Sequence, residues 1–343
     1  MKAVIVKAWG GVENLAPAEV PDPKPGPGEA LIRVRACALN HLDLWVRRGL
    51  PVYKIKLPHV LGSDVSGEIV ETGAGVSGFK AGDRVIVAPG RSCWRCQDCL
   101  SGRDNLCRDY GILGQRGGWG GYAELLAVPQ RYLLALPEGL SFEQAAAFPL
   151  TFLTAWHMLM SLGGCGPDQW VLVVGAGSGV GVAAIQIAKL AGARALAAST
   201  SREKLEKARA LGADAGVLLP KEDLAARAKE LTGGAGVDIA FEHVGPATFA
   251  SSLKSLRPGG RLVTCGASSG ATVELDLRYV FSRHYRILGS TMGTLAELRR
   301  VTRLAGEGRL KPVIDRSFPL EQARQAQEYL EQGRQFGKVL LIP

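Results

Sequence analysis

Four cysteines crowd one short stretch of this 343-residue chain: Cys93, Cys96, Cys99 and Cys107, spaced C-x2-C-x2-C-x7-C. Two-residue gaps turn the backbone tightly enough for several thiolates to converge on one tetrahedral ion, and an all-cysteine set closes the coordination shell. One structural zinc is expected there, with no position left for a substrate. An iron–sulfur cluster or a redox pair is the alternative use of such a set. The total of seven cysteines is odd, which does not read as a secreted disulfide framework.

A second group is the turn Gly175, Ala176, Gly177, Ser178, Gly179, Val180, Gly181, between the apolar run VLVV (171–174) and the segment VAAIQIAKLAGA. A glycine-rich turn from a buried strand into a helix offers free backbone N–H groups and the positive end of the helix dipole to a pyrophosphate. The strict G-x-G-x-x-G spacing is not met, yet the strand–turn–helix context points to a dinucleotide. In such a unit an acidic residue at the end of the second strand would bind the adenine ribose. That end here reads Ser199, Thr200, Ser201, Arg202, with Lys204 beyond. Hydroxyls and a guanidinium suit a 2′-phosphate, which favours NADP(H) over NAD(H). If Arg202 and Lys204 are only exposed positions of a first helical turn, the preference stays open.

These groups need elements to hold them. Residues 1 to about 150 read as short strands and turns, with strand candidates at 1–7 and 30–38 and a proline- and glycine-rich connector at 21–28. From Trp170 the rhythm becomes strand, turn and helix, repeated through VDIAFEHVG, GRLVTCG and RILGSTMG, which predicts a doubly wound parallel sheet. Ser141 and Gln144 predict a capping box before the boundary. From about Thr294 two amphipathic helices and a final strand, KVLLI, lead back toward the first domain. The expected division is 1–150, with the cysteine lobe at about 90–110, then 151–293, then a returning segment 294–343.

With these motifs in hand, the chain resembles the medium-chain dehydrogenase/reductase superfamily over essentially its whole length. The cysteine lobe is similar to the structural zinc of alcohol dehydrogenases. The run AAAFPLTFLTAWHML (145–159), the GAGSGVG turn and GKVLL (337–341) resemble the quinone oxidoreductase branch. The resemblance implies an α/β fold in which a Rossmann sheet is joined to a mainly β GroES-like catalytic domain carrying the zinc lobe. It also implies a homodimer or homotetramer, the dimer forming through the strand near RILGSTMG. It places Thr154, Val244, Gly245, Gly266, Gly289 and Lys338 near the nicotinamide or pyrophosphate, with Lys338 pairing the phosphates. Asp43 is similar to a structural aspartate of the family.

The catalytic zinc of alcohol dehydrogenases needs a cysteine, a histidine and a later cysteine. This chain has Asn40 in NHLD, Ser63 in GSD, and Leu150 at the corresponding positions. Neutral amide, hydroxyl and alkyl groups do not replace thiolate and imidazole. Substrate oxygen must then be polarised by hydrogen-bond donors and protons moved through side chains or water. Asn40, His41 and Tyr53 are the candidates, with ordinary readings as turn cap, surface histidine and packing residue respectively; Asp64 is the further catalytic candidate, near enough to His41 to share an unusual metal site. The expected reaction is hydride transfer between NADP(H) and a carbonyl, quinone or enone in a cleft between the domains. Alcohol oxidation on a metal held by unusual ligands such as His41 and Asp64 is the enzymatic alternative.

A formal charge of +9 would also permit an NADPH-binding regulatory or RNA-associated protein. The basic residues are dispersed, however, with no run of like charges, which argues against a nucleic-acid surface. No apolar stretch reaches 18 residues and no leader-like segment follows Met1, so a membrane is not expected and the cytoplasm is the expected location.

Overall fold

The computed structural model describes the whole chain except residues 51, 52, 54 and 117. The chain divides into two compact units: one of Met1–Leu150, Thr294–Gly308 and Pro312–Pro343, the other of Thr151–Gly293 with Arg309–Lys311.

The first unit is built on antiparallel strands. Its main sheet runs in the order Leu133–Ala135, Arg84–Val87, Asp64–Thr72, Glu29–Ala38, Lys338–Ile342, Ile314–Pro319, and Leu125–Pro129 also pairs with Glu29–Ala38. The final strand KVLLI lies antiparallel to Glu29–Ala38, with Leu340 opposite Ala38 and Leu341 opposite Cys37. Ala36, Ala38, Ala146, Ala147 and Leu340 form a core of small side chains there. This register brings Lys338 beside Asn40 although 298 residues separate them. Cys37 is fully buried, a packing residue of its strand. The Ser141–Gln144 capping box is present, Ser141 Oγ accepting from Gln144 N.

The second unit is a six-stranded, wholly parallel sheet ordered Ala215–Leu218, Arg194–Ser199, Trp170–Val174, Val237–Glu242, Leu256–Thr264, Arg286–Gly289. In chain order this is 3-2-1-4-5-6, the doubly wound order whose ligand crevice opens at the carboxyl ends where strand 1 meets strand 4. Its inner strands Arg194–Ser199, Trp170–Val174 and Val237–Glu242 are largely buried on both faces, and Trp170–Val174 reads as a continuous apolar run rather than alternating. The helix Gly179–Leu190 ends where Gly192 takes φ +78°. Arg286–Gly289 is an edge strand, and the adjoining helix Leu277–Ser282 exposes Leu277 and Phe281. No helix among the described residues is long and apolar enough to cross a membrane.

Candidate functional site

The cysteine lobe projects from the first unit and is closed at its base by a two-stranded ladder, Gly90–Arg91 against Gly111–Ile112. All four sulfurs lie within 4.8 Å of one another, and Cys93 Sγ and Cys99 Sγ are 4.0 Å apart. Four sulfurs placed tetrahedrally about 2.3 Å from a zinc would stand about 3.8 Å apart, so the donor set fits that ion with little movement. Burial and the neighbouring thiols push Cys99 up to about 12, while backbone N–H groups of Arg95 and Cys96 draw Cys93 down to about 6. Thiols this close cannot all ionise without a cation among them. The lobe is fixed from both sides: Tyr132 Oη accepts from Ser92 N and Trp94 Nε1, and the Asp104 carboxylate accepts Leu295 N at the start of helix Leu295–Gly306. Among the described residues this is the only group of three or more Cys, His, Asp or Glu arranged to hold a metal.

In the second unit the glycine turn leads into helix Gly179–Leu190, with Ser178 as N-cap, its Oγ accepting from Gly181 N at 3.0 Å. That leaves the first-turn N–H groups of Gly179 and Val180 to meet a phosphate. Gly175 has φ +61°, and a Cβ on Gly181 would lie 2.5 Å from the Gly175 carbonyl, so neither position accepts a side chain. His243, at the end of strand Val237–Glu242, closes the turn from the other side, its Nε2 3.2 Å from Ser178 Oγ and its ring where a Gly175 side chain would go. The sequence reading passed over His243; its signal was its place at the carboxyl end of the fourth strand, where such sheets bind ligands. Beside it Glu242, fully buried, accepts from Val244 N, Gly245 N, Thr248 Oγ1 and Ser252 Oγ, which fixes the loop that presents Val244 and Gly245. Gly266 packs on the His243 carbonyl, where a Cβ would come within 2.7 Å, while Gly289 is exposed and open. Thr154 is buried, with Oγ1 3.8 Å from Met292 Sδ. These backbone groups fit a dinucleotide.

At the end of strand Arg194–Ser199 the hydroxyls divide into two kinds. Ser199 Oγ accepts Ser201 N, and Ser201 Oγ caps helix Arg202–Ala210 by accepting Lys204 N. Both are committed to the turn. Thr200 and Arg202 are exposed, and Arg202 makes no ion pair with a described residue. They are the groups free to meet a phosphate.

The third cluster lies inside the first unit, where the resemblance places a catalytic metal. Lys338 Nζ donates to Asn40 Oδ1 at 2.6 Å and to Asp64 Oδ2 at 3.0 Å, and Asn40 Nδ2 donates to the same Asp64 oxygen at 3.0 Å. Leu150 N donates to Asp64 Oδ1 at 2.8 Å. Asp64 is wholly buried and the Lys338 side chain is 4% exposed. Lys338 is therefore placed differently from the expectation that it pairs cofactor phosphates: a carboxylate buried this deeply requires a counter-charge, and Lys338 is it. Asn40 is likewise not a free donor, since its amide is divided among Lys338, Asp64 and the Ala38 carbonyl. Ser63 Oγ donates to the Leu113 carbonyl at 2.8 Å. His41 begins helix His41–Arg47 and is half-buried. Tyr53 is half-buried, with its hydroxyl raised by burial.

Asp43 holds this cluster's frame, accepting Asn40 N at 2.7 Å and Gly62 N at 3.1 Å. Desolvation raises its carboxyl to about 6, against the opposing pull of those two N–H groups and Lys338. The unfolded value is about 3.9, so between about pH 4 and 6 the folded chain holds more protons and stability falls as pH rises. Above that window the penalty is complete, about 3 kcal/mol. Asp43→Asn removes the titration, and the wild-type-minus-variant stability from urea unfolding should fall by about 2–3 kcal/mol between pH 4 and 7.5. Parallel profiles would show that Asp43 is not the group responsible.

Comparison with known proteins adds a family to this geometry. Residues 26–138 match the model of the alcohol dehydrogenase GroES-like domain and residues 179–307 that of the zinc-binding dehydrogenase domain. An alcohol dehydrogenase of Geobacillus stearothermophilus is 35% identical over 99% of each chain. An acryloyl-coenzyme A reductase of Metallosphaera sedula is 34% identical, again over 99% of each. Among solved structures, an NAD-dependent alcohol dehydrogenase superposes with a TM-score of 0.97 at 49% identity, over the full length of both chains.

Proposed function

The chain belongs to the medium-chain dehydrogenase/reductase superfamily of NAD(P)-dependent oxidoreductases, and from that premise we propose that it reduces a conjugated carbonyl compound with NADPH, without a catalytic zinc. One observation carries the reading. Of the three positions that would hold the metal, two are spent on the protein's own bonds, Asn40 on Lys338 and Asp64 and Ser63 on the Leu113 carbonyl, and the third, Leu150, has an alkyl side chain with no ligand atom to offer. The ammonium of Lys338 supplies the positive charge in that place.

NADPH, when bound at the glycine turn, would supply the hydride from its C4 position. The chain's own residues do the rest. Gly179 and Val180 N–H groups hold the pyrophosphate, and Thr200 and Arg202 hold the 2′-phosphate. The Lys338–Asp64–Asn40 cluster fixes the start of helix His41–Arg47, from which His41, with Tyr53 nearby in sequence, hydrogen-bonds the substrate oxygen as charge develops on it. Delivery of that hydride to the β-carbon of an enone, with a solvent-derived proton taken up at the α-carbon, would yield the saturated product and NADP⁺. Conjugation suits a site with hydrogen-bond donors in place of a Lewis acid, because the enolate formed spreads its charge. The full-length similarity to an acryloyl-coenzyme A reductase supports this substrate class.

Alcohol oxidation with NAD⁺ is the second reading, favoured by the 49% identity to an NAD-dependent alcohol dehydrogenase. Steady-state rates with but-3-en-2-one, a crotonyl thioester, a quinone and a primary alcohol, each with both nicotinamides, separate the two. Turnover of an enone by NADPH, with label from [4-²H]NADPH found at the β-carbon, is the expected result. Turnover confined to the alcohol would overturn the proposal. Arg202→Ala should raise KM for NADPH about 10- to 100-fold and leave NADH unchanged, the scale of a lost charge-assisted bond. An equal effect on both cofactors would mean that Arg202 does not read the 2′-phosphate.

A further inference from the structure

The first unit contains a surface cavity of about 330 Å³ lined by Glu29, Arg91, Trp119, Leu125, Ala127 and Tyr132, among others. None of the Lys338 cluster belongs to it. Its volume is at the small end of the range for small-molecule pockets, and most of its wall is apolar. The charged exceptions are Glu29 and Arg91. The Arg91 guanidinium stacks 4.3 Å above the Tyr132 ring, yet its Nε is buried with no hydrogen-bond partner among the described residues; the Glu29 carboxylate acts on it electrostatically but lies beyond ion-pair distance. Tyr132 cannot swing away, because its hydroxyl is pinned by Ser92 and Trp94. A buried guanidinium Nε without an acceptor is costly unless something from outside completes it.

We propose that this cavity binds a small organic monoanion, a carboxylate with an apolar body, whose head pairs with Arg91 while its body lies against Leu125, Ala127 and Trp119. Arg presents a planar fork that matches a carboxylate. Glu29, whose Oε2 accepts Gly26 N at 3.0 Å, holds a negative group on the same wall; it opposes any bound anion, and a dianion such as phosphate about twice as strongly as a monoanion. The proposal is independent of the reaction carried out elsewhere in the chain.

The test is calorimetric titration of the full-length protein with hexanoate and, separately, inorganic phosphate, followed in parallel by tryptophan fluorescence. Hexanoate should bind and quench fluorescence, with the quench lost in Trp119→Phe, and phosphate should not bind. Arg91→Met should abolish binding, Arg91→Lys, which keeps the charge and is the milder change, should weaken it about tenfold, and Glu29→Gln should tighten it. Absence of hexanoate binding, binding unchanged in both Arg91 variants, or phosphate binding as tightly as hexanoate would each overturn the proposal.

Discussion

Replacing Lys338 with methionine is expected to cost about 3–5 kcal/mol of folding stability at neutral pH, the scale for stripping one partner from a buried ion pair. Asp64 would remain wholly buried, its two oxygens still accepting from Asn40 and Leu150 but with no positive charge beside them. Asp64→Asn combined with Lys338→Met removes both charges at once. In a double-mutant cycle measured by urea unfolding, the double variant should therefore lose less than the sum of the singles by more than about 1.5 kcal/mol. Additive losses would show that the two groups do not depend on each other.

Cys99→Ser is expected to lower bound zinc from about one per chain to nearly none and to unfold the lobe. Zinc affinity in small structural sites is worth about 10–16 kcal/mol and is folding free energy there, since the ligands do not converge without the ion. Among the four, Cys99 is one of the two buried sulfurs and is the one whose thiol is driven furthest toward the neutral form when no cation is near. The consequence extends to the helix Leu295–Gly306, which has Asp104 of the lobe at its first turn. Limited proteolysis should cut the variant between Gly90 and Ile112 and leave the parallel sheet intact. Wild-type zinc content and protease resistance in this variant would mean that the four thiols do not bind as a set.

The two features easiest to read from the sequence, the cysteine lobe and the glycine turn, are local: their function follows from short spacings that the chain carries wherever it folds. The parallel sheet was legible for the same reason, since VLVV and its successors alternate with amphipathic helices at regular intervals. The Lys338–Asp64–Asn40 cluster was not, because its members are 274 and 298 residues apart and meet only through the register of KVLLI on strand Glu29–Ala38. Read singly, Asn40 stands as a donor toward a substrate, Asp64 as a possible ligand of an unusual metal and, by the resemblance, Lys338 as a phosphate partner; in the structure the three are buried and bonded to one another. His243 was hidden in an apolar strand, and Arg91 in the shadow of the cysteines beside it. In both cases the information lies in what packs against the residue, which no spacing records.

We propose that this oxidoreductase holds one zinc, in the lobe, and works without a second. Metal analysis by mass spectrometry of the purified wild-type chain tests it most directly. The account predicts about one zinc per chain, unaffected by His41→Ala; two zinc ions, the second lost on changing His41 or Asp64, would contradict it.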